Sequence, residues 1–280
     1  MNYVEFLGAI EIGFVFGLVS LGVLLSFRML DFPDLTVDGS FPLGAGVSAV
    51  LIVSGVDPFL ATAAAIVAGG AAGMVTAFLN LRFHILHLLA SILTMIALYS
   101  INLRIMGRPN ISLLTTPTVL SPFESLGISN LYLRPIVAGV ILLIVGGLLV
   151  WGLMSAYGLA IRATGANARV ARAQGVNTHR TTYVGIASSN GLVALAGALF
   201  AQMNGFADVN LGTGTILVGL AAVVVGEAVL GTRSVLVWVL ACCLGSILYR
   251  LAVALALNAS WLGLNASDLN LVTAILVAVA

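Results

Sequence analysis

The chain has 280 residues, 61% hydrophobic and only 8% charged, with a net charge of +1. Soluble domains carry about 25% charged residues, and mean hydropathy here is +1.17. Such a chain cannot cover its surface in water, which excludes the secreted and ordinary cytosolic classes, and it has no electrostatic footprint for nucleic acid. The composition predicts an all-α, polytopic transmembrane bundle in a single domain, 1–280.

Apolar runs fall in chain order at 6–26, 41–55, 58–80, 88–107, 133–155, 182–203, 214–231, 235–257 and 266–280. A span needs about 20 residues, so these predict about eight or nine crossings. The run at 41–55 is short, which predicts a crossing that is partly non-helical. The last run ends with the chain, which predicts a protein that continues beyond residue 280. The first run is long and lacks a preceding basic flank, unlike a cleavable leader.

Polar stretches separate the runs. Residues 27–40 hold Arg28 and three aspartates, residues 108–132 hold Pro109, Pro117 and Pro122, and residues 156–181 hold four arginines and no acid. The positive-inside rule puts 156–181 in the cytoplasm. Arg28, Arg82, Arg162, Arg169, Arg172, Arg180 and Arg233 then fall inside, against Arg104, Arg108, Arg134 and Arg250 outside. With nine spans the N-terminus lies outside and the C-terminus inside. All eleven basic residues are arginine, which suggests a GC-rich bacterial coding sequence.

Small residues at Gly13/Gly17 and Gly69/Gly73 predict close helix packing. Phe32-Pro33-Asp34-Leu35 is echoed by Phe206-Ala207-Asp208-Val209. The two follow spans of opposite direction, as in an inverted repeat. Cys242 and Cys243 are neighbours in an apolar run, where helix geometry points them apart, and read as small buried side chains.

The basic loop predicts a short helix over 168–174, capped by Asn167 and ended by Gly175. Its arginines either meet an acidic partner or lipid phosphate, or only anchor the topology. Ionisable groups inside a membrane usually face a cavity or a partner. Asp34 and Asp38 therefore either line a broken helix near a pore, with Thr36 and Ser40 beside them, or lie in a solvated loop with Asp38 or Ser40 as an N-cap. Glu227 either pairs with Arg233 or contributes to a gate. Ser91, Thr94 and Tyr99 either line a pore or pack between helices. Ser188 and Asn190 are expected to bond neighbouring helices, and Asn210 falls at the outer mouth with Asn204 and Asp208. His84 and His87 read as interfacial residues rather than metal ligands. No nucleophile–base pair or metal cluster is legible, so a membrane enzyme is not expected.

The stretch Gly158 to Asn177, GLAIRATGANARVARAQGVN, resembles the coupling loop of bacterial ABC importer permeases, the branched-chain amino acid and ribose types above all. Further likenesses are Gly191-Leu192-Val193-Ala194-Leu195-Ala196-Gly197-Ala198, the glycines at 212 and 214, the small-residue run 221–231, and Asp34-Leu35-Thr36-Val37-Asp38-Gly39-Ser40. The likeness spans about residues 10–280. It departs from the ribose type in the extra Asp38, in Glu227 and in an absent first span, and looks like a less characterised subgroup that occurs with amino acid binding proteins, aromatic ones included.

The resemblance implies a permease subunit of an importer in the bacterial inner membrane. Its partners would be a second permease chain (a homodimer or a heterodimer), a cytoplasmic ATPase dimer, a periplasmic or lipid-anchored binding protein and membrane lipid. Arg162, Asn167, Arg169, Arg172, Gln174 and Gly175 would couple to the ATPase. Asp34, Thr36, Asp38, Ser40, Ser91, Thr94, Asn210 and Glu227 are the pathway candidates. ATP and Mg would sit on the ATPase; this chain has no phosphate-binding glycine loop and no lysine. The solute would be small, an amino acid with aromatic ones included. The competing reading is an ion-coupled secondary transporter of a small neutral solute, for which Glu11 and Glu227 are the acids inside apolar runs.

Overall fold

The computed structural model describes residues 3–124, 129–231 and 234–258. Its helices are α1 (Tyr3–Val23, continued by a π-helical turn, Leu24–Met29), α2 (Val37–Val53), α3 (Pro58–Phe83), α4 (His87–Met106), α5 (Ser121–Glu124), α6 (Asn130–Met154), α7 (Ala156–Ala166), α8 (Ala168–Ala173), α9 (Thr178–Asn204), α10 (Thr215–Leu230) and α11 (Val235–Asn258). Strands β1 (Asn110–Ser112) and β2 (Phe206–Asp208) pair antiparallel, with Ile111 opposite Ala207. Among the described residues, seven helices are long and apolar enough to cross a membrane, and α2 is a shorter apolar one. The predicted run at 266–280 lies outside the described residues.

Local chemistry sets the ends. Asp57 caps α3 by accepting from the N–H groups of Phe59 and Leu60, with Pro58 in the first helical position, where its missing N–H costs nothing. Ser155 ends α6 and caps α7, accepting from Gly158 N–H. At 41–55 the expectation needs correction. The helix begins earlier, at Val37, and runs unbroken for 17 residues, or about 25 Å. Its polar first turn, which breaks the hydropathy pattern, is satisfied inside the protein. The non-helical residues 30–36 precede it and include the buried Phe32, Asp34 and Thr36.

The order of helices repeats with inversion. Helices of 27, 17 and 26 residues (α1 with its π turn, α2, α3) are followed from residue 178 by helices of 27, 16 and 24 (α9, α10, α11). Packing is swapped between the halves: α1 lies against α11 as α9 lies against α3, and α10 against α1 as α2 against α9. The two aspartates of the sequence echo make the same turn. Asp34 Oδ1 accepts from Thr36 N–H at 2.9 Å, and Asp208 Oδ1 from Asn210 N–H at 2.8 Å.

One face of the bundle carries α7, α8 and the end of α1; the other carries the β1–β2 ribbon and the end of α9. They are called the arginine face and the ribbon face. Gln202 ties the ribbon side to the bundle, accepting from Val119 N–H and donating to Thr62 Oγ1.

Missing side chains let the centre close. A Cβ on Gly44 would strike Ala194 O, and one on Gly197 would strike Phe41 O, so α2 and α9 meet backbone to backbone. Lipid supplies no hydrophobic drive between helices, and contact area of this kind replaces it. Large apolar side chains instead point outward, among them Val67, Met74, Leu143, Ile144 and Leu148, as a lipid-facing belt requires. Gly44→Ala is expected to cost about 1–3 kcal/mol by overpacking and lower the melting temperature in detergent. Gly147→Ala, with nothing within 4 Å of the added methyl, leaves it unchanged.

Candidate functional site

A fully buried polar cluster lies where the two halves meet. Asn190, on α9, donates from Nδ2 to Asp34 Oδ2 at 2.6 Å and to Ile186 O at 3.1 Å, and accepts at Oδ1 from the Ser40 hydroxyl at 2.7 Å. Thr36 Oγ1 lies 2.7 Å from Thr76 Oγ1 of α3. Asp34, Thr36, Ser40, Thr76 and Asn190 are each 0% exposed. The cluster holds residues 34–40 against α3 and α9, and both Asp34 oxygens have donors. The solvated-loop reading of 34–40 is therefore wrong: the short side chains reach partners inside the protein.

The next acid up the chain bridges two helix ends. Asp38, in the first turn of α2, accepts from Gly214 N–H at 3.3 Å and from Ile216 N–H at 2.7 Å. It caps α10 rather than its own helix, whose N-cap residue Thr36 makes no capping side-chain bond. Gly214 has φ +80°, a conformation glycine adopts without strain, and it turns the chain so that these donors face Asp38. The first turns of α2 and α10 thus meet within the bundle. Interrupted helices with N-termini meeting inside a membrane protein are where substrate sites form in transporters.

Beside this junction is an open cavity of about 450 Å³, bounded by α2, α4 and the 209–213 turn, with Asp38, Tyr99, Ser100, Asn102, Asn210 and Thr213 among its lining. Its volume lies in the range of about 300–1,000 Å³ usual for small-molecule sites. Tyr99, Ser100, Asn210 and Thr213 are exposed. Polar groups at this depth face water or another protein chain, because facing lipid is costly.

On the arginine face, Asn167 caps α8, accepting from Arg169 N–H and Val170 N–H at 3.0 and 3.1 Å, and Gly175 follows with φ +83°. Arg169, Val170, Arg172, Gln174 and Gly175 are exposed around one buried anchor, Ala171. The knob is tied to the bundle through α7. Thr164 Oγ1 lies 2.8 Å from Thr181 Oγ1, and a Cβ on Gly165 would strike Met29 O at the end of α1. A second cavity, of about 820 Å³, opens here between residues 30–33, the α3–α4 turn and α8. All three histidines, His84, His87 and His179, line it with Arg172. Among the described residues no group of three or more His, Cys, Asp or Glu could hold a metal ion.

The family described as branched-chain amino acid transport system / permease component matches residues 6–280. The chain belongs to that family. It is 35% identical over 264 residues to the tyrosine transport system permease protein of Clostridioides difficile (strain R20291), covering 94% of this chain and 85% of the relative. It is 36% identical over 259 residues to an uncharacterized protein of Rickettsia prowazekii (strain Madrid E), covering 91% and 89%. Its fold resembles a chain of PsaBC from Streptococcus pneumoniae, solved in complex with Fab. The TM-score is 0.54 at 15% identity, and the match covers 100% of this chain and 91% of the other. This permease is therefore a multi-pass membrane protein, and its family is a transport component rather than an enzyme.

The structure sorts the permease's predicted pathway residues. Asp38 and Asn210 line the junction cavity. Asp34, Thr36 and Ser40 are enclosed in the cluster and line none of the cavities described. Ser91 and Thr94 donate to the carbonyls of Leu88 and Ala90 on their own helix. Glu227 forms an ion pair at 3.1 Å with Arg28 at the end of α1; Arg233 lies outside the described residues. Asn190 bonds a neighbouring helix as expected, through Ser40 of α2, whereas Ser188 is exposed. Asn102 was missed: it sits in a span as a single amide, with no sequence signal that separates packing from function.

Asn190→Leu is expected to lower stability by about 3–5 kcal/mol, the range for removing one partner of a buried charge. Ser188→Leu, at an exposed position of the same helix, is expected within about 0.5 kcal/mol of the parent. Thermal unfolding of the two purified variants side by side checks both values.

Proposed function

We propose that this permease is the membrane subunit of an ATP-driven importer that moves an amino acid, aromatic ones included, into the cell by alternating access. The observation that carries this reading is the capped arginine knob α8, whose arginines are exposed and which is fixed through α7 to the end of α1. A short rigid helix presenting Arg169, Val170 and Arg172 suits a groove on a cytoplasmic ATPase. Arg162, Asn167, Gln174 and Gly175 shape its base. Displacement of α8 would be passed to residues 29–36 and from there to the Asn190 cluster.

The remaining parts follow from that role. A second permease chain completes the pathway, an ATPase dimer holds ATP and Mg, and a periplasmic or lipid-anchored binding protein delivers solute at the ribbon face. The chain then sits in the bacterial inner membrane with α8 in the cytoplasm. A tyrosine transport permease among the relatives and a cavity with one aromatic wall favour an amino acid as cargo. ATP binding biases the bundle between two states around the junction, and it shifts their populations only as far as its affinity differs between them.

Replacing Arg169 and Arg172 together by Glu is expected to abolish co-purification of the ATPase and ATP-driven uptake while leaving the melting temperature of the isolated permease unchanged, since both residues are exposed. Uptake that persists without the ATPase and follows an ion gradient would assign an ion-coupled transporter instead.

A further inference from the structure

Asn102 lines the junction cavity and carries a polar atom that the fold leaves unused. Asn102 is 1% exposed, and its Nδ2 donates to Gly39 O at 3.4 Å. Its Oδ1 is buried and has no hydrogen-bond partner. The amide cannot be turned to repair this, because Oδ1 would then face the Gly39 carbonyl. Buried acceptors in folded proteins are almost always paired, so one left over beside a cavity marks the place of a missing donor. The neighbouring acid carries a charge with capacity to spare. Each Asp38 oxygen accepts one backbone N–H, and an ionised carboxylate has about four acceptor positions.

The lining as a whole states which donor fits. Among the described residues, Asp38 is the only charged one that lines the cavity, and no lining residue is an arginine or histidine. A group that only donates and carries positive charge complements a carboxylate and an orphan amide oxygen together. Beyond the neutral polar groups Ser100, Asn210 and Thr213, the lining has an apolar patch, with Met95 and Ile96 beside the exposed ring of Tyr99. An aromatic ring face also attracts a cation.

We infer that the cavity is an ammonium-binding site, in which Asn102 Oδ1 and Asp38 accept hydrogen bonds from the –NH₃⁺ of a primary amine whose apolar body lies on Met95 and Tyr99. In the transport reading, on which only the source of the amine rests, this is the α-ammonium of the amino acid in passage. Asn102 acts here as a specificity-determining residue: it rejects a deaminated solute, which would leave its oxygen unpaired.

The test uses the full permease in nanodiscs with a Ser100→Cys substitution as reporter, since Ser100 lines the cavity and is exposed. The parent, with Cys242 and Cys243 alone, gives the background. Labelling rates are measured with methanethiosulfonate ethylammonium and methanethiosulfonate ethylsulfonate, each relative to its rate with a free thiol in solution. The ammonium reagent is expected to be favoured at least ~10-fold over its solution ratio, as a fixed charge in a cleft concentrates counter-ions. Asp38→Asn removes the preference, Asn102→Leu reduces it and Asn102→Asp strengthens it. Millimolar 2-phenylethylamine slows labelling and 3-phenylpropionate does not. A solution-like ratio, no labelling by either reagent, a preference indifferent to all three substitutions, or equal protection by both phenyl compounds overturns the inference. ATP-driven uptake by the complex with its ATPase is measured separately. Failure of uptake with the preference intact removes the transport reading and leaves the site standing.

Discussion

The amide of Asn190 holds the two halves of this permease in register. It sits on α9, binds the Asp34 carboxylate of the loop before α2, and accepts from Ser40 in the first turn of α2. Inside a membrane bundle every polar group needs a partner from the protein itself. Three buried polar side chains that satisfy one another therefore confine loop and helix to one arrangement. Everything at the junction follows from that confinement. Val37 begins a helix, Asp38 comes to the N-terminus of α10, and Gly39 presents its carbonyl to Asn102. A carboxylate placed at helix N–H groups is stabilised by the positive end of the helix dipole, so Asp38 is well placed although it lies deep in the protein.

Close backbone approach is the second condition. Gly44 and Gly197 let α2 and α9 touch, and Gly69 and Gly73 of α3 rest against the backbone of α9 at Asn190 and Ile186. The polar cluster alone would be a defect in a loosely packed bundle. Together with this packing it becomes a rigid centre, and the inverted repeat follows around it. Two long, deeply buried helices, α1 and α9, run in opposite directions. Two short helices start near each other within the bundle, and the space left between α2, α4 and the turn before α10 is the cavity.

The arginine knob stands at the other end of the same mechanical chain. Gly165 of α7 packs on the Met29 carbonyl, Met29 ends the π turn of α1, and residues 30–36 lead directly to Asp34. The Arg28–Glu227 pair joins the same end of α1 to the last turns of α10. A displacement of α8 thus meets both halves of the repeat close to their contact. The route runs through packed backbone and buried hydrogen bonds, with no long flexible segment between the knob and the junction.

Much of this was legible in the sequence because it depends on local chemistry. Apolar runs located the long helices to within a few residues, since each must satisfy its own backbone bonds in lipid. Asn167 and Gly175 framed the knob, since capping is decided by a few neighbouring residues. The Asp34 and Asp208 echo marked the repeat, since an aspartate two residues before an N–H makes its turn by itself. The partners of polar side chains were not legible. Hydropathy placed Asp34 to Ser40 equally well in water or in protein, and left Glu227 between an arginine partner and a gate. Helix packing instead brought Asn190 to Asp34, Arg28 to Glu227 and Asn102 to Gly39 across long separations. The sequence by itself determined where the chain crosses and turns, because those are short-range properties. Only the tertiary structure decided which polar groups are satisfied and left Asn102 Oδ1 without a donor, because that depends on what long-range packing sets beside each of them.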